Sequence, residues 1–208
     1  MENRAGELIA RWQKRNISGF FCKDKQSAIN KMLEIIPVSA TIGISGSVTL
    51  EQLEIVTHLE ARGNKVLSPY KSGLSREENL AIRRQGTQAD FYLASANALS
   101  EKGELVFFSA YGNRTAGISY AKNVIVVCGM NKLVPDLHQA VERARNIATP
   151  LNVKRLGWKT PCAGNGECQS EICLFPEYKR MCCQTLIIEA EVTPERMRVI
   201  LVDEKLGY

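Results

Sequence analysis

Short apolar runs alternate with segments of helical period along almost the whole chain, and this alternation restricts the fold more than any other feature. The run Val124 to Cys128 is continuously apolar, the pattern of a strand covered on both faces. Gly19 to Cys22, Ala40 to Ser45, Lys65 to Ser68, Phe91 to Ala96 and Leu105 to Ser109 read as further strands, with Thr185 to Ile188 and Arg198 to Val202 as the last two. Helical segments lie between them, the first predicted over Glu2 to Arg15. The stretch Ser27 to Ile36 puts Ala28, Ile29, Met32, Leu33 and Ile36 on one face and ends at Pro37. A helix over Val48 to Arg62 opens on a capping box of Thr49 and Gln52 and stops at Gly63 and Asn64. Another opens on Ser75 and Glu78 and runs to about Gln85. In Pro135 to Ala148, the residues Leu137, Ala140, Val141, Ala144 and Ala148 form an inner face. This order of elements predicts an α/β fold with a largely parallel sheet and helices on both faces.

The 208 residues suit one domain spanning 1–208. No run approaches the roughly 18–20 apolar residues of a membrane span, and Met1 to Arg15 lacks the apolar core of a signal peptide. The expectation is a cytoplasmic protein. The formal charge of +5 is scattered, with no basic tract interleaved with aromatics, so it reads as solubility and not as a nucleic-acid surface.

Five of the seven cysteines, Cys162, Cys168, Cys173, Cys182 and Cys183, fall within one aperiodic stretch of about residues 152–183. A segment of that length without periodicity is either functional or held by something. Bunched thiols answer to a metal site, a disulfide staple or redox chemistry, and a reducing compartment disfavours the staple. Lys154, Arg155, Lys159, Lys179 and Arg180 surround the cluster with positive charge, which stabilises thiolates. Five residues separate Cys162 from Cys168, four separate Cys168 from Cys173 and eight separate Cys173 from Cys182. These intervals fit neither a zinc ribbon nor the common ferredoxin runs. Four thiolates from one loop nonetheless satisfy a tetrahedral zinc and a cubane iron–sulfur cluster alike. Cys162, Cys168, Cys173 and Cys182 are therefore the candidate metal ligands. Adjacent Cys182 and Cys183 do not suit one metal together, which leaves one of them spare.

Two glycine-containing segments between a strand and a helix are candidate ligand loops. The first, Gly43-Ile44-Ser45-Gly46-Ser47, lies where open α/β sheets bind ligands, and Ser45 and Ser47 offer hydroxyl donors. It is neither a P-loop nor a dinucleotide fingerprint, and a tight turn with a helix cap reads equally well. In the second, Gly112-Asn113-Arg114, Arg114 carries a fork suited to a carboxylate or phosphate; the alternative is a surface salt bridge. If both loops share the carboxyl edge of the strands, they face one crevice holding a small anion.

Other chemistry is thinly represented. His58 and His138 are the only histidines and read as structural, which excludes a histidine-rich metal site. No GxSxG elbow is present. Glu101 and Glu104 read as the solvated turn of a hairpin at Lys102 and Gly103, and Cys22 and Cys128 as small core residues. No catalytic residue is assigned.

Several segments in order are similar to the LUD (lactate-utilization) domain family and its small LutC-type members. They are Gly46-Ser47-Val48-Thr49-Leu50, Gly112-Asn113-Arg114, and Val124-Ile125-Val126-Val127 followed by Gly129, Asn131 and Lys132. Thr160-Pro161-Cys162, the cysteine loop with Arg180 and Cys182, and the ending Leu201 to Gly207 complete the set. The resemblance implies a three-layer α/β/α sandwich like that of ribose-phosphate isomerases and coenzyme-A transferases. It also implies a role in a system oxidising L-lactate to pyruvate, with iron–sulfur partner subunits, and a [4Fe-4S] cluster as cofactor. The intervals after Cys168 and Cys173 are slightly longer than the family pattern, and Cys183 is additional. The alternatives are a transferase or isomerase acting on a sugar phosphate or acyl-coenzyme-A, and a non-enzymatic assembly module folded by structural zinc.

Overall fold

The computed structural model describes residues 2–208. In chain order its first elements are α1 (Glu2–Gln13), β1 (Ile17–Cys22), α2 (Lys25–Ile35), β2 (Thr41–Ile44), α3 (Val48–Gln52), α4 (Ile55–Ala61) and β3 (Lys65–Leu67). Then come α5 (Arg76–Gly86), β4 (Phe91–Ala94), β5 (Ala98–Ser100), β6 (Leu105–Ser109), α6 (Asn113–Tyr120) and β7 (Val124–Gly129). The last are β8 (Leu133–Val134), α7 (Leu137–Arg143), α8 (Thr149–Arg155), α9 (Pro161–Asn165), β9 (Gln184–Ile188) and β10 (Met197–Val202).

Six strands form one sheet in the order β1-β10-β7-β4-β2-β3, and every neighbouring pair in it is parallel. The expected α/β architecture is what the chain adopts. Because side chains alternate across a strand, β7 sends Ile125 and Val127 to one face and Val124, Val126 and Cys128 to the other. The first face is closed by Ala28, Ile29 and Met32 of α2, Leu50 of α3, and Ile55 and Leu59 of α4. The second is closed by Ala5, Leu8 and Trp12 of α1, by Ile118 of α6, and by Leu99, Leu105 and Phe107. Those last three belong to a second sheet, β8-β5-β6-β9, which is mixed: β6 runs antiparallel to both β5 and β9. Ala140 and Ala144 cover the outer side of this small sheet at Ala98, Val106 and Phe108.

Local chemistry explains where elements begin and break. Asp24 and Ser27 form a reciprocal capping box that starts α2, and Ser75 and Glu78 form the expected one at α5. The helix predicted from Val48 to Arg62 is in fact two, joined through Glu54 at φ 48. At about 100° per residue, a straight helix would point Leu50 and Leu53 away from Ile55 and Leu59. The left-handed turn brings all four into one core. The predicted cap also moves: Ser47, not Thr49, accepts the Leu50 N–H at 3.3 Å. The last long helix continues past Ala148 to Arg155 through a π-turn over Ala144–Ala148. Pro150 has no N–H to give, and the wider turn lets the Thr149 N–H and hydroxyl both bond the Ala144 carbonyl.

Predicted strand ends shift as well. Phe91 to Ala96 stops at Ala94, and the hairpin at Lys102 and Gly103 joins β5 to β6 within the small sheet. No helix is long and apolar enough to cross a membrane among the described residues.

Candidate functional site

The carboxyl ends of β2 and β3 converge with the β6–α6 loop on a crevice of about 730 Å³. Ser45, Gly46 and Ser47 form one wall, Asn113 and Arg114 the opposite one. The two predicted loops thus face one crevice, although the second follows a strand of the small sheet. Arg114 ties them together: its Nη2 donates to the Gly46 carbonyl, and its Nη1 donates to Phe108 O at 3.1 Å and Asn97 Oδ1 at 3.3 Å. Most of its donors are therefore committed to protein acceptors. A Cβ at Gly46 would press on the Tyr70 hydroxyl, so glycine there lets Tyr70 lie close against the loop.

The remaining predicted residues hold the loops in shape. Ser45 is 2 % exposed and gives its N–H and hydroxyl to Leu93 O. Ser47 caps α3. Gly112 sits at φ 82 ahead of α6. Asn113 accepts the Tyr92 hydroxyl on its carbonyl at 3.0 Å and Arg83 Nη1 on Oδ1 at 3.4 Å. Gly43 lies outside the crevice lining, where a Cβ would overlap the Gly86 carbonyl; it lets α5 dock on β2.

A second, much smaller cavity of about 40 Å³ adjoins Gly46, Ser47 and Arg114 and is floored by Lys132. The Lys132 ammonium is 3 % exposed and donates to Thr49 Oγ1 (2.9 Å), Ser95 Oγ (2.8 Å) and Ala96 O (3.1 Å). Burial pushes its pKa down to about 8, aided by Arg143 and Arg114 and opposed by Cys128. Sequence reasoning gave Lys132 no role at the site. Its signals are its place just past the carboxyl end of β7 and its part in the segment that resembles the LUD family. Cys128, read as core, is buried but also accepts the Ala96 N–H on sulfur at 3.4 Å.

Further residues escaped prediction because they carry no glycine motif: Tyr70, Arg83, Tyr111 and Trp158 all line the crevice. Arg83 lies over the Tyr70 ring at 5.4 Å and the Tyr111 ring at 5.3 Å, and Tyr111 meets Trp158 edge-on at 6.1 Å. Glu101 and Glu104 sit on the small-sheet hairpin. Glu104 is not solvated but buried, accepting from Ser100 and lying 3.5 Å from Arg15.

The cysteine loop begins in the crevice wall, to which it contributes Leu156, Trp158 and Met181. All seven cysteines are free thiols, with Cys162 and Cys173 buried and Cys183 exposed. Burial raises the thiol pKa of Cys168, which also senses Cys182 and Cys162 and is opposed by Arg145 and Arg180. Burial likewise raises Cys173, with Arg180 opposing and Cys182, Cys162 and Cys168 reinforcing. The four predicted ligands are therefore electrostatic neighbours, while Cys183 senses Cys182 and Arg180. No group of three or more Cys, His, Asp or Glu among the described residues is drawn close enough to hold a metal ion. The Arg145 Nε beside this group is buried without a hydrogen-bond partner. The donor set, thiols on a loop with Arg180 close to Cys168 and Cys173 and Arg145 close to Cys168, suits an anionic thiolate-ligated centre in chemistry.

Fold and site together define an α/β protein with a crevice at the carboxyl edge of its sheet and a thiol-rich loop in the crevice wall. The LUD domain family model matches residues 5–202. The chain belongs to that family, which is linked in general terms to lactate utilization. A solved DUF162 family protein from Deinococcus radiodurans is similar over 97 % of both chains, with a TM-score of 0.55 at 11 % identity, and so shares the fold. Ribose 5 phosphate isomerase A from Neisseria gonorrhoeae matches over 54 % of each chain at 18 % identity, with a TM-score of 0.36. No curated protein sequence matches the chain.

Proposed function

We propose that this protein is a subunit of a system oxidising L-lactate to pyruvate, binding an anionic ligand in the crevice and an iron–sulfur cluster on the cysteine loop. It works beside iron–sulfur partner subunits. The feature that carries the reading is the placement of Cys162, Cys168, Cys173 and Cys182 on one loop, with Arg145, whose Nε is buried without a partner, near Cys168. A buried guanidinium nitrogen left unsatisfied is costly, and a cluster with four thiolates bears the negative charge that answers it. Arg180 adds a second cation, held by Ser170 Oγ at 2.8 Å and Ser170 O at 3.3 Å.

When bound, such a cluster supplies one-electron transfer. The chain's own residues hold and shield it. Cys162, behind the N-cap Thr160 and Pro161, is buried, and its sulfur is 3.4 Å from the Thr160 hydroxyl. Trp158 and Met181 close the crevice on the loop side. In the crevice, Arg114 fixes the distance between the two loops, so the ligand meets a preformed anion site.

Anaerobic purification with iron and sulfide assay tests the proposal. Expected is about four irons and four sulfides per chain, falling by more than half in Cys168→Ser and unchanged in Cys183→Ser. Stoichiometric zinc in place of iron would favour the assembly-module reading, and a metal-free protein would end both.

A further inference from the structure

The crevice is far larger than a three-carbon hydroxy acid needs. Cavities of about 300–1,000 Å³ hold ligands of drug or nucleotide size, and this one measures about 730 Å³. Its charges are also unevenly spent. Lys71 is paired with Glu60 at 2.6 Å, and Arg155 lies 3.9 Å from Glu51. Arg83 has no carboxylate within 4 Å among the described residues; its partners are the neutral amides of Asn79 (2.7 Å) and Asn113 (3.4 Å). Those bonds use Nε and Nη1, which leaves the Nη2 edge of the guanidinium with its donors unspent. Arg114, equally without a carboxylate, has given its donors to Gly46, Phe108 and Asn97.

Around Arg83 the wall is aromatic. Tyr70 and Tyr111 flank its guanidinium, yet stand 51 % and 55 % exposed in the protein. Tyr111 leads on to Trp158. The order Tyr70, Arg83, Tyr111, Trp158 thus runs from a cation beside two rings to the Trp158 ring, which meets Tyr111 edge-on at 82° and carries the Lys179 ammonium 4.4 Å from its centre. A planar fork between aromatic faces is suited to phosphate, and neighbouring aromatic surfaces are suited to a flat ring. We infer that the ligand of this crevice is of the mononucleotide class, an aromatic ring carrying a phosphate. Arg83 is its anion receptor, and Tyr111 with Trp158 forms its ring platform. The inference rests on the crevice being the ligand site and is independent of the cysteine loop's cargo. Purine and flavin mononucleotides share this chemistry.

Titration calorimetry with AMP, FMN, inorganic phosphate and L-lactate tests it on the intact protein. Trp158 emission reports location, since Trp12, the other tryptophan, is buried and bonded to Gly103 O. Expected is binding of AMP or FMN at least tenfold tighter than phosphate, with Trp158 quenched by AMP and the quench lost in Trp158→Phe. Which nucleotide binds tighter identifies the source. Arg83→Met should weaken the nucleotide at least tenfold and Arg83→Lys less. Tyr111→Ala should weaken the nucleotide while leaving phosphate within twofold. If phosphate or lactate binds as tightly as either nucleotide, the crevice remains an anion site and the nucleotide assignment falls. If none of the four binds, both fall. Nucleotide affinity unchanged in both Arg83 variants, with unaltered melting, also overturns it.

Discussion

Lys132 is a charged side chain held almost wholly out of water. Its ammonium meets three oxygen acceptors, which uses all three donors, yet burial still lowers its pKa from 10.5 to about 8. The sign of the linkage follows directly. Between about pH 8 and 10.5 the unfolded chain holds a proton at this position that the folded protein has lost. Folding stability from this group therefore rises with pH across that window and is at its poorest below it. Urea titrations from pH 7 to pH 10.5 should show this rise in the native protein and a smaller one in Lys132→Met. Equal slopes in the two proteins would mean that Lys132 titrates normally. The cost of keeping a charged lysine there is borne beside the crevice, where Thr49, Ser95 and Ala96 are fixed by it.

At the scale of elements, tight backbone approach sets the geometry of the crevice. The α5 helix reaches β2 because Gly43 faces Gly86 with no side chain between them, and α5 carries Arg83 into the crevice. Gly43→Ala would force the helix outward, since the obstacle is backbone and cannot rotate away. Overpacking of this kind costs about 3 kcal/mol, read as a lowered denaturation midpoint. Ala substituted at Gly164, where a Cβ meets nothing within 4 Å, is the control and should cost far less.

The same scale shows what the sequence made legible. Val124 to Cys128 and Ser27 to Ile36 are placed correctly because their patterns have one period and one core to satisfy. The break at Glu54 escaped, although the opposed directions of Leu50 and Leu53 against Ile55 and Leu59 record it. The β5 strand has three residues, too few to show alternation, and the pairing of β9 with β6 joins segments about 80 residues apart, which no local pattern reports. Of the crevice, the glycine loops and Arg114 were readable as motifs. Tyr70, Arg83 and Tyr111 were not, because tertiary placement alone distinguishes them from ordinary surface or helix residues; Lys132 entered only as part of a family resemblance, with no site role.

Over the whole molecule, the two cores on opposite sides of the sheet share their strands. Ile200 and Val202 of β10 enter one core, and Val199 and Leu201 enter the other. Neither core can dissolve while the other keeps its sheet. In Trp158→Phe, Trp12 emission reports one core and far-ultraviolet dichroism the entire fold, and their urea transitions should coincide. Separate midpoints would show that the helical layers come apart in stages.

The place of β10 between β1 and β7 also bears on how the protein is made. Residues 197–202 are the last strand of this sheet to be synthesised, yet they occupy an interior position. Until they emerge, β1 and β7 each present an open edge, and β1 has no neighbour in its sheet. Nascent chains halted before Met197 therefore carry two unpaired strand edges that attract intermolecular pairing. The sheet is closed from its interior by its last-made strand, so its assembly waits on the emergence of residues 197–202.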